Sequence, residues 1–454
     1  MTAKSTALLL VCSLLFAPTL SLAAPREPAV DRRKLAAEVR AEFLHAWRGY
    51  EQYAWGHDDL RPLTKTYHDW YAHTFYMTPV DALDTMLLMG LRDEAEKTKT
   101  FIINNLSFDQ DIYVQNFEIT IRHLGGLLSI YQLTGDRRFL ALAEDLGTRL
   151  LPVFDSPTGI PYRFVNLKTG KVRDPETNPA EAGTLLIEFG TLSKLTHKPI
   201  FYDKAKRALV EVYKRRSALG LVGSTINVET GAWTDKDSHI SGGIDSYYEY
   251  LLKCWLLFDD EDCKRMWLES RAAVNKYLAD ERGPELWYGH ADMLTGQRTA
   301  TSYGALDAFF PAVLALSGDI DRAKRLQASS FKMWTIYGIE PEQLNYRTMQ
   351  IEYPGYPLRP EIVESTYYLY HFTGDPQYLR MGETLFNSFV KYCRTDTAYA
   401  ALRNVQTKEQ ADGMQSFLFA ETFKYYYLLF APPKTLNFKQ VIFNTEAHPI
   451  KRTW

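Results

Sequence analysis

Leu133-Thr134-Gly135-Asp136-Arg137-Arg138-Phe139-Leu140 closes one apolar-periodic helix at a Thr-Gly turn and opens the next on an aspartate. The pattern returns at Leu195-Thr196-His197-Lys198-Pro199-Ile200-Phe201-Tyr202 and at Phe372-Thr373-Gly374-Asp375-Pro376-Gln377-Tyr378-Leu379. Weaker copies stand at Leu316-Ser317-Gly318-Asp319 and Leu257-Phe258-Asp259-Asp260. From Thr134 to Thr196 is 62 residues, about the length of a helical hairpin with its connections.

A second series is interleaved with the first. Lys168-Thr169-Gly170-Lys171, Glu229-Thr230-Gly231-Ala232 and Leu294-Thr295-Gly296-Gln297 read as tips of β-hairpins, 61 and 65 residues apart. Short turns at one end of a helical ring and longer, strand-bearing connections at the other follow from the alternation. Between these marks the sequence holds six or seven helical hairpins, including an opening helix over 33–53 and another over 80–90. An all-α toroid of paired helices with short β-hairpins at one end is the expectation, with an open superhelix as the alternative. Val441-Ile442-Phe443-Asn444-Thr445-Glu446-Ala447-His448-Pro449 breaks the helical habit, since three β-prone residues run into a polar knot. A short strand pushed into the ring there would form the floor of a site.

With 454 residues, 46% hydrophobic and 14% aromatic, the chain can bury a large core. Its net charge of -3, with no basic block, argues against a nucleic-acid partner. Lys4, the apolar run over 7–17 and Ser21-Leu22-Ala23-Ala24 have the order of a secretory signal peptide. Residues 1–23 are expected to leave, and 24–454 to form one exported domain, periplasmic or secreted. The end at Thr453-Trp454 carries no retention sequence, and no later apolar run reaches membrane-spanning length. Cys12 leaves with the leader, so Cys254, Cys263 and Cys393 allow at most one bridge.

Chemistry enters where helices open on acids after the longer connections: Glu118, Glu181, Asp245 and Glu361, with Asp81 and Asp84 at the start of theirs. Acids stabilise helix N-termini by about 0.3–1 kcal/mol, yet here each has aromatic, arginine or glycine neighbours. If alternate helices line the ring, these carboxylates converge on one mouth, where mutual repulsion holds a proton on at least one of them. One protonated and one ionised carboxyl can cleave a glycosidic bond. Phe117, Tyr247, Tyr248 and Phe417 are the candidate platforms for a sugar ring.

At these residues the chain resembles glycoside hydrolase family 47, the class I α-mannosidases. The blocks run from Tyr53-Ala54-Trp55-Gly56-His57-Asp58-Asp59-Leu60-Arg61-Pro62 through Val80-Asp81-Ala82-Leu83-Asp84-Thr85, Glu181-Ala182-Gly183-Thr184-Leu185, Asp245-Ser246-Tyr247-Tyr248-Glu249-Tyr250-Leu251 and Leu358-Arg359-Pro360-Glu361 to Asn444-Thr445-Glu446-Ala447-His448-Pro449. The resemblance implies an (α/α)7 toroidal barrel plugged by a C-terminal hairpin, a bound calcium ion, and inverting exo-hydrolysis of α-1,2-linked mannose from oligosaccharides by a monomer. Carried over, Thr445 binds the metal, and Glu361 is the general base. Glu118 is the general acid, with Asp245 competing for that role. Arg122, Glu181, Arg359, Glu364, Phe417, Glu421 and Glu446 contact the sugar or the metal's waters. Gly243, and Ala305-Leu306-Asp307 where many relatives carry histidine, look more like the branch that degrades misfolded endoplasmic reticulum glycoproteins, on a bacterial-type chain. A mannose-binding protein with little turnover on the same barrel is the alternative.

Overall fold

The computed structural model describes residues 30–454, so the expected leader lies outside the described residues. The chain opens with α1 (Arg32–Tyr53) and continues as helical hairpins: α2/α3 (Met77–Met89, Arg92–Asn105), α4/α5 (Gly125–Thr134, Arg137–Leu150), α6/α7 (Leu186–Thr196, Pro199–Lys214), α8/α9 (Asp245–Phe258, Glu261–Tyr277), α10/α11 (Phe310–Leu316, Ile320–Tyr337) and α12/α13 (Glu361–Thr373, Gln377–Cys393). The last long helix, α14 (Phe423–Phe430), packs on α1 to make the seventh pair, and the even-numbered helices pack side by side until α14 meets α2. The ring is therefore a closed (α/α)7 toroid. Burial separates its two layers. From Met77 to Thr85 every residue of α2 is buried, whereas α3 buries only the stripe Ala95, Thr98 and Ile102.

Both turn series have a physical basis. At the first, Thr134 Oγ1 donates back to Ile130 O at 2.7 Å, Gly135 takes φ +74°, and Asp136 accepts from Arg138 N at 3.1 Å. Thr373, Gly374 and Asp375 repeat this geometry. At the second, Asn166 Oδ1 accepts from Lys168 N and Thr169 N at 3.1 and 2.9 Å before Gly170 at φ +69°. Asn227 and Asp292 build the same turn ahead of Gly231 and Gly296. Two further copies at Asn345 and Asn404 escaped the sequence reading because Met349 (φ +58°) and Lys408 (φ +63°) replace the glycine that marked the others.

Helix α2 begins three residues earlier than the expected 80. The buried Asp58 caps it from a distance: its Oδ1 accepts from Phe75 N and Met77 N, both at 3.1 Å. Pro79 is tolerated because a first-turn N–H has no helical partner to lose. Cys254, Cys263 and Cys393 are buried free thiols. No helix of the described residues is long and apolar enough to cross a membrane.

The chain's last strands, Val441–Phe443 and Pro449–Lys451, pair antiparallel and enter the ring from the end where the inner helices finish. There Lys451 exchanges backbone bonds with the Gln132 amide at 2.8 Å, and Trp454 stacks on Phe258 at 5.7 Å. The hairpin tip is locked inside. Asn444 Nδ2 donates to Ile121 O and Glu188 Oε1, each at 2.8 Å, while its Oδ1 accepts from His448 N at 2.8 Å. His448 Nδ1 lies 2.7 Å from Asp84 Oδ2, and Lys424 Nζ lies 2.8 Å from the other Asp84 oxygen. Gly125 is obligatory beneath this tip, since a Cβ there would stand 2.5 Å from Asn444 Nδ2.

Asp81 and Asp84 therefore do not face the cavity as their helix-opening position suggested; fully buried, they hold the plug. Burial alone would raise Asp84, but Lys424 and His448 outweigh it and keep the carboxyl at about 2. Against its own burial, His448 is lifted to about 9 by Asp84 and Asp81. Its contribution is complete below the unfolded pKa of about 6.5 and is lost as pH rises through about 9. His448→Gln should lower unfolding free energy by about 3–5 kcal/mol at pH 7 in urea titrations, because it leaves Asp81 and Asp84 buried with one cation fewer. That difference should shrink at pH 10. Gly135→Ala should cost about 1–2 kcal/mol by the same measurement, through its left-handed φ alone, since a Cβ there meets nothing within 4 Å.

Candidate active site

A cavity of about 410 Å³ opens at the end of the ring where the inner helices begin. Of the residues placed at the site from the sequence, Glu118, Arg122, Glu181, Asp245, Arg359, Glu361, Glu364, Phe417, Glu421, Thr445 and Glu446 line it. They come from four helix openings, two further helical turns and the hairpin tip. Tyr247 and Tyr248 do not belong with them; 0% and 1% exposed, they pack in the core, and only Phe117 and Phe417 of the proposed aromatics reach the cavity.

Two turns of π-helix, Thr120–Leu124 and Leu418–Thr422, carry Arg122 and Glu421. A π turn inserts one extra residue and rotates the side chains that follow it, which aims these two into the ring. Arg122 is the hub. Its Nε donates to Glu118 Oε2 at 2.9 Å, its Nη1 pairs with Glu446 and lies 3.4 Å from Asp81, and its guanidinium sits over Trp70 at 5.1 Å and Phe417 at 5.9 Å. Arg359 covers Phe417 from 6.0 Å and is gripped by Glu342, with Glu361 at 4.0 Å. Phe417 thus has two cations within 6.0 Å of its ring centre and is 5% exposed where it lines the cavity. Glu181 is tied by Gln115 at 2.9 Å and Arg163 at 2.9 Å, which makes it part of the wall.

Carboxylates outnumber cations here, and their protons respond. Burial pushes Asp245 up to about 7, helped by Glu249 and Asp307 and opposed by the Ser246 N–H. Burial likewise lifts Glu361 to about 7 against the pull of Arg359. Glu361 Oε2 is buried without a hydrogen-bond partner. Burial lifts Glu364 and Glu446 to about 8 against the pull of Lys253 and Arg122, and lifts Glu421, with its carboxylate neighbours, well above the ordinary range. A divalent cation suits this setting: the donors are all oxygen, Thr445 is half-buried on the floor, and acidic groups surround it.

Trp70, Glu249, Phe309 and Gln415 line the cavity without having been assigned to it. Glu249 was legible, four residues after Asp245 on the same helical face, and its charge is met by the buried Lys253. Trp70 was not, because it arrives from an irregular segment held by the Asp59 carboxylate. Gly243 has φ +91° and faces the cavity, a left-handed backbone that favours glycine. Asp307 is buried outside the cavity, with Oδ2 accepting from Gly304 N at 2.9 Å; its neighbour Leu306 is the lining residue. A second cluster lies beyond that wall: ligand atoms of Asp237, His239 and His290 fall within 4.8 Å of one another.

Comparison with known proteins agrees with this geometry. The family model for glycosyl hydrolase family 47 matches residues 42–452. Alpha-mannosidase I MNS5 of Arabidopsis thaliana is 39% identical over 93% of this chain and 78% of its own. ER degradation-enhancing alpha-mannosidase-like protein 2 of Mus musculus is 37% identical over 94% of this chain and 79% of its own. Among solved structures, the alpha-1,2-mannosidase from Trichoderma reesei superposes with a TM-score of 0.85 at 27% identity, covering 92% of this chain and 99% of that one. Sequence, ring and site together place the chain in glycosyl hydrolase family 47, as a glycoside hydrolase.

Proposed function

We propose that the protein is a calcium-dependent, inverting exo-α-1,2-mannosidase. The observation that carries this reading is the convergence of Asp245, Glu361 and Thr445 in one cavity whose floor is closed by the C-terminal hairpin. A closed floor favours a terminal sugar over the middle of a glycan. The names of the similar mannosidases supply the sugar. The N-terminal leader pattern supports export, and a monomer acting on free oligosaccharide is the simplest form.

Asp245, poised at about 7, donates its proton to the departing glycosidic oxygen. Glu361, with an oxygen free of partners, takes a proton from water as that water attacks the anomeric carbon from the opposite face. Arg359 steadies Glu361, and Phe417 packs against the ring. Glu118, bonded to Arg122, lines the same cavity as Asp245 and is the alternative donor. Calcium would be held by the Thr445 hydroxyl and carbonyl, with Glu364, Glu421 and Glu446 holding its waters, and when bound it supplies a positive point for sugar hydroxyls.

Anomer-resolved NMR on α-1,2-linked mannobiose should record β-mannose first, and no turnover in excess chelator. Initial α-mannose would overturn inversion, and full activity in chelator would remove the metal. Glu361→Gln should abolish turnover while sugar affinity stays within about tenfold. Asp245→Asn should be about 10²–10⁴-fold slower on the disaccharide but far less impaired on α-mannosyl fluoride, whose leaving group needs no proton; equal impairment on both would transfer the acid role to Glu118.

The raised carboxyls also fix a sign. In the cation-free fold they keep protons that the unfolded chain has lost near pH 4.3, so their contribution to stability is present at low pH and disappears as pH rises through about 7 to 8. A cation held at Thr445 would favour the ionised forms of the nearby Glu364, Glu421 and Glu446. The rise in thermal midpoint on adding calcium should therefore grow from pH 5 to pH 8, and a constant increment would contradict the assignment.

A further inference from the structure

We propose that Asp237, His239 and His290 form a second metal site, for a borderline divalent ion of the zinc class, separate from the oxygen-lined cavity. Strand pairing creates it. Asp237–Ser238 runs antiparallel to His290–Asp292, with Asp237 opposite Asp292 and Ser238 opposite Ala291. Extending that register by one residue sets His239 across from His290. Because side chains alternate along a strand, Asp237, His239 and His290 share one face. The imidazole rings confirm the juxtaposition, with centroids 4.5 Å apart and planes at 31°.

The donor atoms lie within 4.8 Å of one another, and two ligands about 2.1 Å from a shared ion stand roughly 3–4 Å apart, so a small closure completes the set. His239 is 8% exposed, and His290 Nε2 is buried with no hydrogen-bond partner. Outer contacts already orient the ligands. Thr299 Oγ1 donates to Asp237 Oδ1 at 2.6 Å, and His239 is held on both nitrogens, Nδ1 accepting from Ser241 N at 3.2 Å and Nε2 lying 3.2 Å from Ser224 Oγ; ligation exchanges one of these two contacts for the metal while the other keeps the ring oriented. Two imidazoles and one carboxylate suit zinc, cobalt or nickel, whereas calcium prefers six or more oxygens. Two sites of different donor chemistry can thus be filled by different ions in one chain. Without an ion, a proton joins His290 Nδ1 to Asp237 Oδ2 at 2.6 Å; ligation by that pair releases the proton to solvent. Gly242 of the cavity wall follows His239 by three residues, so an ion here would brace the segment that leads to Asp245.

The test is metal uptake by chelator-stripped full-length protein in excess calcium. Zinc titrated calorimetrically should bind at one equivalent, and cobalt should give visible absorption bands of a nitrogen-ligated site. His239→Ala and His290→Ala should each weaken zinc by on the order of a hundredfold, while Thr445→Ala leaves uptake unchanged. Circular dichroism checks that the variants are folded, and the cobalt spectrum of the unaltered protein decides the matter if they are not. Absence of the cobalt bands and of zinc uptake, or zinc binding untouched by both histidine variants, would overturn the proposal.

Discussion

The site depends on keeping a polar hairpin tip inside a ring of helices. Water cannot reach Asn444 or His448, so every donor and acceptor there must find a protein partner. Asn444 satisfies both ends of its amide between Ile121, Glu188 and the hairpin's own backbone, while His448 and Lys424 neutralise Asp84. A charge group buried this deeply is strongly destabilising when one partner is removed. That penalty gives the tip one position, and Thr445 with it.

From that anchor the electrostatics of the cavity follow. Arg122 touches the plug through Asp81 and Glu446, and touches the cavity through Glu118. One guanidinium therefore couples the structural network to the reactive one. Beyond it the cations run short. Lys253 answers Glu249, Arg359 is shared between Glu342 and Glu361, and the remaining carboxyls relieve their repulsion by holding protons. Burial first, and the neighbouring carboxylates after it, bring both Asp245 and Glu361 near neutrality in the same cavity.

The ring explains why so many helices can lend their first turns to one place. Seven inner helices point the same way, so their openings, with the strands that precede them, gather at one end. Free N–H groups there donate readily to acidic side chains. The hairpin arrives from the opposite end and turns a channel into a closed pocket.

Much of this was legible in order along the chain. Thr134-Gly135-Asp136 and Lys168-Thr169-Gly170-Lys171 announce helix ends and hairpin tips, because left-handed φ and tight turns are properties of a few residues. The acids Glu118, Asp245 and Glu361 and the strand leading to Thr445 could be read the same way. What needed tertiary structure was every fact about which groups meet. Asp81 and Asp84 open a helix just as Asp245 and Glu361 open theirs, yet they turn to His448 and Lys424, residues more than 330 positions later. The π turns at Arg122 and Glu421, the burial of Tyr247 and the cross-strand pairing of His239 with His290 leave no mark in local sequence either. Local propensity is written in neighbouring residues, whereas burial, charge compensation and proton affinity are set by atoms that only folding brings together.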